Sequence, residues 1–519
     1  MLIKHINFSL ILLASLGSSV QARDLSWQCE SGSWDNAECW APNNIPNADD
    51  NILISSGANI SSNSVYVSHP GAISHTGGYN SIAHNLINTG RYALSGNAEL
   101  LAEQEIIGYL ESGIFTQHGG TNRVTNQLDV GLYTSNSTPG YYTLNDGNLI
   151  VSQENIGIVG FGEFTQNGGV HDVEHFLTLG SYYGNNGIYI QNSGLLKADF
   201  ENIGDAGTGR FEQNGGVNTV GVLGIAQSGG GSGSYLLNGP GQLLANNEYI
   251  GNTGVSGTFI QNGGLNTVNE RLVVGFHTSG SYTLNDGLVS ASNEYIGIFG
   301  DGVFTQLGGT HIVSNQLILG LNVGSSGTYN LQGGLLDVST INAANEGNAN
   351  FNFTGGRLAV DTFIGNLVNN GGVLGPGNSP GITTVQGDFS QSIDGTYAVE
   401  IGGLQAGSEY DVLNVSGRAS LGGRLRLSLF GLENGYVLQA GHSFDILTAV
   451  AISGAFDDVT FDDLSSNLRW NIAYLADFDG DLDVVRLNIA AVPLPQSWLM
   501  LLSGLGVFVA LKRRSAGVA

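Results

Sequence analysis

Residues 113–131 read GIFTQHGGTNRVTNQLDVG, and residues 302–320 read GVFTQLGGTHIVSNQLILG. The shared frame is an aromatic residue, a polar residue two positions on, a Gly-Gly pair, a short alternating stretch, and an aliphatic residue closing on Gly. Phe115-Thr116-Gln117 alternates as a strand does, with Phe115 and Gln117 on one face. Gly119-Gly120 then supplies a corner where positive φ carries no Cβ penalty. The opening aromatic returns as Tyr92, Phe115, Tyr142, Phe164, Tyr189, Phe211, Tyr235, Phe259, Tyr282, Phe304, Tyr329 and Phe351, at gaps of about 22 to 27 residues, the periodicity of a solenoid. Units close at Ile107-Gly108, Val130-Gly131, Ile156-Gly157, Leu179-Gly180, Ile203-Gly204, Leu223-Gly224, Ile250-Gly251, Val274-Gly275, Ile296-Gly297 and Leu319-Gly320. A unit of this kind cannot bury its own apolar face and must stack on its neighbours. Phe and Tyr units alternate, so the full repeat is double. The expected fold is all-β: a right-handed parallel β-helix over residues 71–371 with the aromatics stacked inside.

Two polar positions recur within the repeat. Gln117, Gln166, Gln213, Gln261 and Gln306 follow the Phe residues, where Tyr units carry Leu144, Leu237, Leu284 and Leu331. Glu105, Glu154, Glu201, Glu248 and Glu294 precede the closing Gly by three positions in alternate units. The structural expectation is that these side chains satisfy backbone groups at rung corners, because an unpaired buried polar group costs several kcal/mol. The functional alternative is a ladder of Ca²⁺ sites, since hard cations prefer oxygen ligands; no other cofactor is expected. His171-Asp172-Val173-Glu174-His175 fits a zinc-peptidase pattern literally, but that chemistry needs helical spacing. The register aligns His171 with Asn122, Asn218, Asn266 and His311 in an extended segment, so both His are expected on exposed turns. Asp146 and Asp286 read as turn residues, and residues 477–483, DFDGDLD, as a tight acidic turn lacking the EF-hand order. No pair of carboxylates is placed for glycoside hydrolysis, and no catalytic residue is assigned.

The composition narrows the partners. The chain has 519 residues, 80 of them Gly, with 11% charged residues and a formal net charge of -27. With 16 Lys and Arg against 43 Asp and Glu, it would repel a phosphate backbone, which excludes nucleic acid as a partner. Lys4, the apolar stretch from Phe8 to Leu16, and Val20-Gln21-Ala22 form a secretory signal peptide over 1–22, with cleavage before Arg23 and export through Sec. Cys29 and Cys39 are the only cysteines, and an oxidising compartment favours one small disulfide-closed loop. Residues 23–70 are read as an N-terminal cap.

The rhythm stops near Gly371. Residues 372–490 alternate β-formers between Gly turns and predict an antiparallel β cap or sandwich. Val492-Pro493-Leu494-Pro495 then leads into the mostly apolar segment from Ser497 to Leu511 and the basic cluster Lys512-Arg513-Arg514. The basic cluster sets the orientation, cytoplasmic under the positive-inside rule.

Several segments resemble known families. Residues 27–40, WQCESGSWDNAECW, and 46–54, PNADDNILI, resemble the opening of exported bacterial β-solenoids. Residues 377–391, GNSPGITTVQGDFSQ, with 410–427, YDVLNVSGRASLGGRLRL, resemble the region closing such proteins, including autotransporter passengers. The tail over 491–519 resembles the PEP-CTERM tripartite sorting signal of Gram-negative, exopolysaccharide-producing bacteria, with Leu494 where that family most often has Glu. The resemblance implies a short transmembrane sorting helix, an exosortase-type processing enzyme as partner, and display at the cell envelope or release from it. It further implies a structural or adhesive role among exopolysaccharide or other envelope glycans rather than an enzymatic one. A polysaccharide-binding or polysaccharide-degrading β-helix is the alternative.

Overall fold

The computed structural model describes residues 22–492 except 56, 136–137, 378–379, 432–436, 463 and 479–481. Their regular structure is β-strand, apart from one short 3-10 turn at Ala37–Cys39. Apart from antiparallel pairings at the two ends, the strands pair in parallel, each with the equivalent segment one turn of the chain later, which is a β-solenoid.

Each central rung has three walls. The first holds the aromatic column, in register as Tyr92↔Phe115, Phe115↔Tyr142, Tyr142↔Phe164 and Phe164↔Tyr189, and so on to Tyr329↔Phe351. The second wall aligns Asn122, Leu149, His171, Leu196 and Asn218, and the third aligns Leu128, Glu154, Leu177, Glu201 and Leu223. Period-two alternation decides what is buried: in Ser279–Leu284, Gly280, Tyr282 and Leu284 point inward and the residues between them outward. Because rungs stack at the spacing of hydrogen-bonded strands, the inward aromatics lie ring on ring. From Tyr92 to Tyr329 every step in the column is a parallel stack, with centroids between 4.5 and 4.9 Å apart.

The corner after the third wall demands left-handed backbone. Gly204 sits there with φ +73, and a Cβ on it would run into the Ser232 carbonyl. The structure moves one of these corners. Its register aligns Ile225 with Ile203 and Ile250, and Leu223 with Glu201 and Glu248. The closing pair of that rung is therefore Ile225-Ala226, not Leu223-Gly224, and Ala226 adopts φ 58 while fully buried.

Both ends of the solenoid differ from expectation. At the N-terminus, Asp24–Trp27 pairs in parallel with Asn51–Ile54, and that strand pairs with Ala72–His75, so parallel pairing begins within residues 23–70. Toward the C-terminus the rungs run well past Gly371: Leu374↔Tyr397, Tyr397↔Leu425 and Leu425↔Val459 continue the second wall in parallel. The antiparallel domain expected over 372–490 is thus reduced to a cap in which Leu482–Ala491 pairs with Ser443–Ala449 and with Leu468–Phe478. Longer and less regular corners erase the sequence period in this region while inward apolar positions persist.

Among the described residues no helix is long and apolar enough to cross a membrane. The expected sorting helix and the signal peptide of residues 1–22, except Ala22, lie outside the described residues.

Candidate functional site

The recurrent Gln and Glu residues meet inside the rod. Gln117 is fully buried; its Nε2 donates to the carbonyls of Gly120 (3.2 Å) and Asn148 (3.0 Å), and its Oε1 accepts from the Tyr142 hydroxyl (2.8 Å). That hydroxyl accepts from Asn122 Nδ2 (3.2 Å), whose second hydrogen goes to Glu105 Oε2 (3.0 Å). The same quartet recurs as Gln213, Tyr235, Asn218 and Glu201, and as Gln261, Tyr282, Asn266 and Glu248. In two further quartets a histidine replaces the asparagine. His171 Nδ1 lies 2.9 Å from the Tyr189 hydroxyl and its Nε2 lies 2.8 Å from Glu154 Oε2, close but poorly aligned for a hydrogen bond. His311 likewise joins Tyr329 (2.9 Å) to Glu294 (3.1 Å). Because each tyrosine donates to its glutamine, the histidine Nδ1 must be the donor to the tyrosine.

The expectation for glutamine holds, since it satisfies corner carbonyls. For glutamate it needs refinement: the side chains that approach these carboxylates are those of asparagine or histidine one rung on, not backbone groups. In the asparagine quartets Glu105 Oε1, Glu201 Oε1 and Glu248 Oε1 have no partner, nor do the asparagine Oδ1 atoms. Burial pushes the carboxyls of Glu105 and Glu201 up to about 7 and that of Glu248 up to about 8, against the opposing pull of the asparagine hydrogen bond.

The other sequence motifs separate as follows. His171 is buried and His175 is exposed, so the two do not share a metal, and the expectation of two exposed turn residues is corrected: both lie in the strand Val170–Leu179, and His171, like His311 at the same register position, is enclosed. His175 instead lies 3.6 Å from Asp199. Among the described residues no group of three or more His, Cys, Asp or Glu is placed to hold a metal ion. Asp146 and Asp286 each accept from the N–H of the following glycine, as turn residues do. Of the acidic stretch 477–483, residues 479–481 lie outside the described residues, and Asp483 accepts from the N–H groups of Ile452 (2.7 Å) and Asp477 (3.1 Å). Cys29 and Cys39 form a disulfide, with Cα atoms 5.1 Å apart. Of the sorting residues, Val492 ends the described chain and is exposed, whereas Pro493, Leu494, Pro495, Lys512, Arg513 and Arg514 lie outside the described residues.

Outside the walls, one corner carries a ladder that sequence reasoning did not single out. Asn167 Nδ2 donates to Asn145 Oδ1 (2.9 Å), Asn192 to Asn167 (2.8 Å), Asn214 to Asn192 (3.0 Å), Asn238 to Asn214 (3.0 Å), Asn262 to Asn238 (2.8 Å) and Asn285 to Asn262 (2.7 Å). The signal was an Asn immediately after the inward Gln or Leu of seven successive units, from Leu144-Asn145 to Leu284-Asn285. An amide has two donor hydrogens and two acceptor lone pairs, so each ladder bond leaves capacity facing solvent. An open groove of about 510 Å³ lies on the second wall, lined in part by Asp172, Glu174, Lys197, Asp199, Asn246 and Asn269. On the edge after the third wall, His277 stacks on Phe299 at 5.0 Å and Phe276 lies 5.5 Å from Tyr249. No protein-family model matches this chain, and no curated protein matches it.

Proposed function

We propose that this chain is an exported structural or adhesive rod that lies among exopolysaccharide at the cell envelope or in the extracellular matrix of a Gram-negative bacterium. The signal segment 1–22 exports it, and the segment 491–519 delivers it through a short membrane helix to an exosortase-type enzyme. The coil is right-handed, the hand that parallel crossovers take, and the rod acts without a cofactor. The observation that carries the reading is the partly exposed asparagine ladder, which repeats one amide per rung from Asn145 to Asn285. A repeating polymer can engage many weak sites of this kind at once, and multivalency converts weak contacts into strong association. Neutral sugar hydroxyls match the free donor and acceptor capacity of those amides, and the acidic chain needs no charged partner. Mass spectrometry of the mature C-terminus tests delivery: an end close to Pro495 on protein recovered outside the cell is expected, and retention of Trp498 to Ala519 overturns processing. Co-sedimentation with the host exopolysaccharide tests contact: the variant N192A/N214A/N238A is expected to bind several-fold less, and unchanged binding overturns the ladder's role.

Degradation of a polysaccharide is the second reading, favoured by the carboxylates of Asp172, Glu174 and Asp199 beside Lys197 in the groove. Release of new reducing or unsaturated ends from the same polymer would carry it.

A further inference from the structure

We propose that Glu105, Glu201 and Glu248 are held inside the rod as neutral carboxylic acids, so that the solenoid is hardest in mild acid and loosens as the medium becomes alkaline. The geometry argues this first. Each of the three is fully enclosed, and each is sandwiched along the third wall between leucines: Leu86 and Leu128 for Glu105, Leu177 and Leu223 for Glu201, Leu223 and Leu272 for Glu248. The groups facing them are one asparagine amide each and the tyrosine hydroxyls of the aromatic column: Tyr92 and Tyr142 at Glu105, Tyr189 and Tyr235 at Glu201, Tyr235 and Tyr282 at Glu248. Among the described residues the one other titratable carboxyl acting on any of the three is Glu201, on Glu248. None of these can supply positive charge, and an unpaired buried carboxylate is far costlier than a neutral acid. The histidine quartets are the internal contrast, because His171 and His311 give Glu154 and Glu294 a side chain able to carry the proton.

The direction of the pH effect follows from linkage. A carboxyl whose folded value lies above its unfolded 4.5 contributes stability that is complete below about 4.5 and is lost as pH rises to between about 7 and 8. Asp129 and Asp411, pushed up to about 6 by burial, act in the same direction. His75 opposes them on the acid side: burial lowers it from 6.5 to about 4, so its contribution is complete above 6.5 and lost as pH falls through about 4. Above about pH 4.5 the three glutamates and two aspartates outweigh the single histidine, so stability falls as pH rises from about 4.5 towards 8.

The test is the melting temperature of the full secreted protein across about pH 4.5 to 9, against the variant E105Q/E201Q/E248Q, in which a neutral amide replaces each acid. The wild type is expected to lose melting temperature as pH rises, and the variant to match it in mild acid yet melt several degrees higher in alkali. Parallel profiles for the two proteins would overturn the proposal. Should the triple variant not fold, infrared spectroscopy of the wild type decides. A protonated-carboxyl band persisting in the folded protein at about pH 6, above the range where exposed Asp and Glu keep their protons, is expected, and its absence overturns the proposal. The variant N218H, which copies the histidine quartet beside Glu201, is expected to flatten the alkaline decline in part; an unchanged decline also counts against the idea.

Discussion

Between Tyr92 and Tyr329, buried glutamine amides donate to carbonyls at the corners, as Gln213 does to Gln242 at 2.9 Å. Toward the two ends carboxylates that accept from N–H groups share the task of satisfying backbone, beside amides such as Gln391, which donates to the carbonyls of Gly422 and Arg424. Asp50 takes the N–H groups of Arg23 (3.0 Å) and Asn47 (2.7 Å), Asp388 that of Arg418 (2.8 Å), and Asp457 that of Gly423 (2.6 Å). The parallel wall is common to both regions, so wall formation needs only inward alternation and corners that can turn. What differs is the filling: one continuous column of stacked rings with polar quartets in the middle, and mixed aliphatic and aromatic side chains without such a column, with aspartates at corners, at the ends. The largest expected effect probes that filling. Phe211 is stacked on Tyr189 and Tyr235 at 4.8 and 4.7 Å, and Phe211→Ala opens a gap in the column that the rigid rungs cannot close. Chemical denaturation should show a loss of about 3–5 kcal/mol. Leu374→Ala, at a buried position in the C-terminal rungs, should cost less within the general range of about 2–5 kcal/mol. Equal losses would mean that the aromatic stack adds nothing beyond volume.

The N-terminal end should respond to acid in the opposite sense from the middle. Asp50 is fully buried, and although burial alone would raise its carboxyl, the Arg23 guanidinium and the N–H groups of Asn47 and Arg23 hold it below its usual value. Its contribution is present above about 3.8 and is lost as pH falls through the folded value. Asp50→Asn should cost about 1.5–3 kcal/mol at neutral pH, the range for hydrogen bonds to a charged group. Hydrogen exchange should accelerate in the first rungs, around Asp24–Trp27 and Asn51–Ile54, with the middle protected. Uniform acceleration along the rod would break the distinction between ends and middle.

Much of the middle could be read from the chain. The aromatic column, the glycine corners and the inward side of Gln117 and its equivalents follow from a period of two within a longer repeat. The quartets were half legible. Asn122, His171, Asn218, Asn266 and His311 occupy one register position, and each stands two residues before a buried valine: Val124, Val173, Val220, Val268 and Val313. That spacing puts them on the inner face, but polar residues near Gly-Gly pairs look like turn residues, and only the tertiary wall reveals that they face a glutamate 17 or 18 residues upstream. The C-terminal rungs were not legible as rungs because their corners vary in length. Inward positions such as Leu374, Tyr397, Leu425 and Val459 align across the wall without repeating at a fixed interval.

The smallest prediction concerns the one corner where the middle breaks its own rule. Matching Gly224 to the closing glycines would put Leu223 at the corner, but the wall instead sets Leu223 between Glu201 and Glu248 and brings Ala226 to the position held by Gly204 and Gly251. Register is decided by which side chains enter the core, since a slip would bring polar residues inward. The corner must then accept whatever residue arrives. Ala226 accepts left-handed φ at a cost that glycine does not bear. Ala226→Gly should therefore stabilise the rod by about 0.5–1 kcal/mol, a gain moderated by the greater freedom of glycine in the unfolded chain. Equilibrium denaturation at neutral pH measures it. Destabilisation instead would mean that the Ala226 methyl, fully buried at that corner, packs well enough to outweigh its backbone strain.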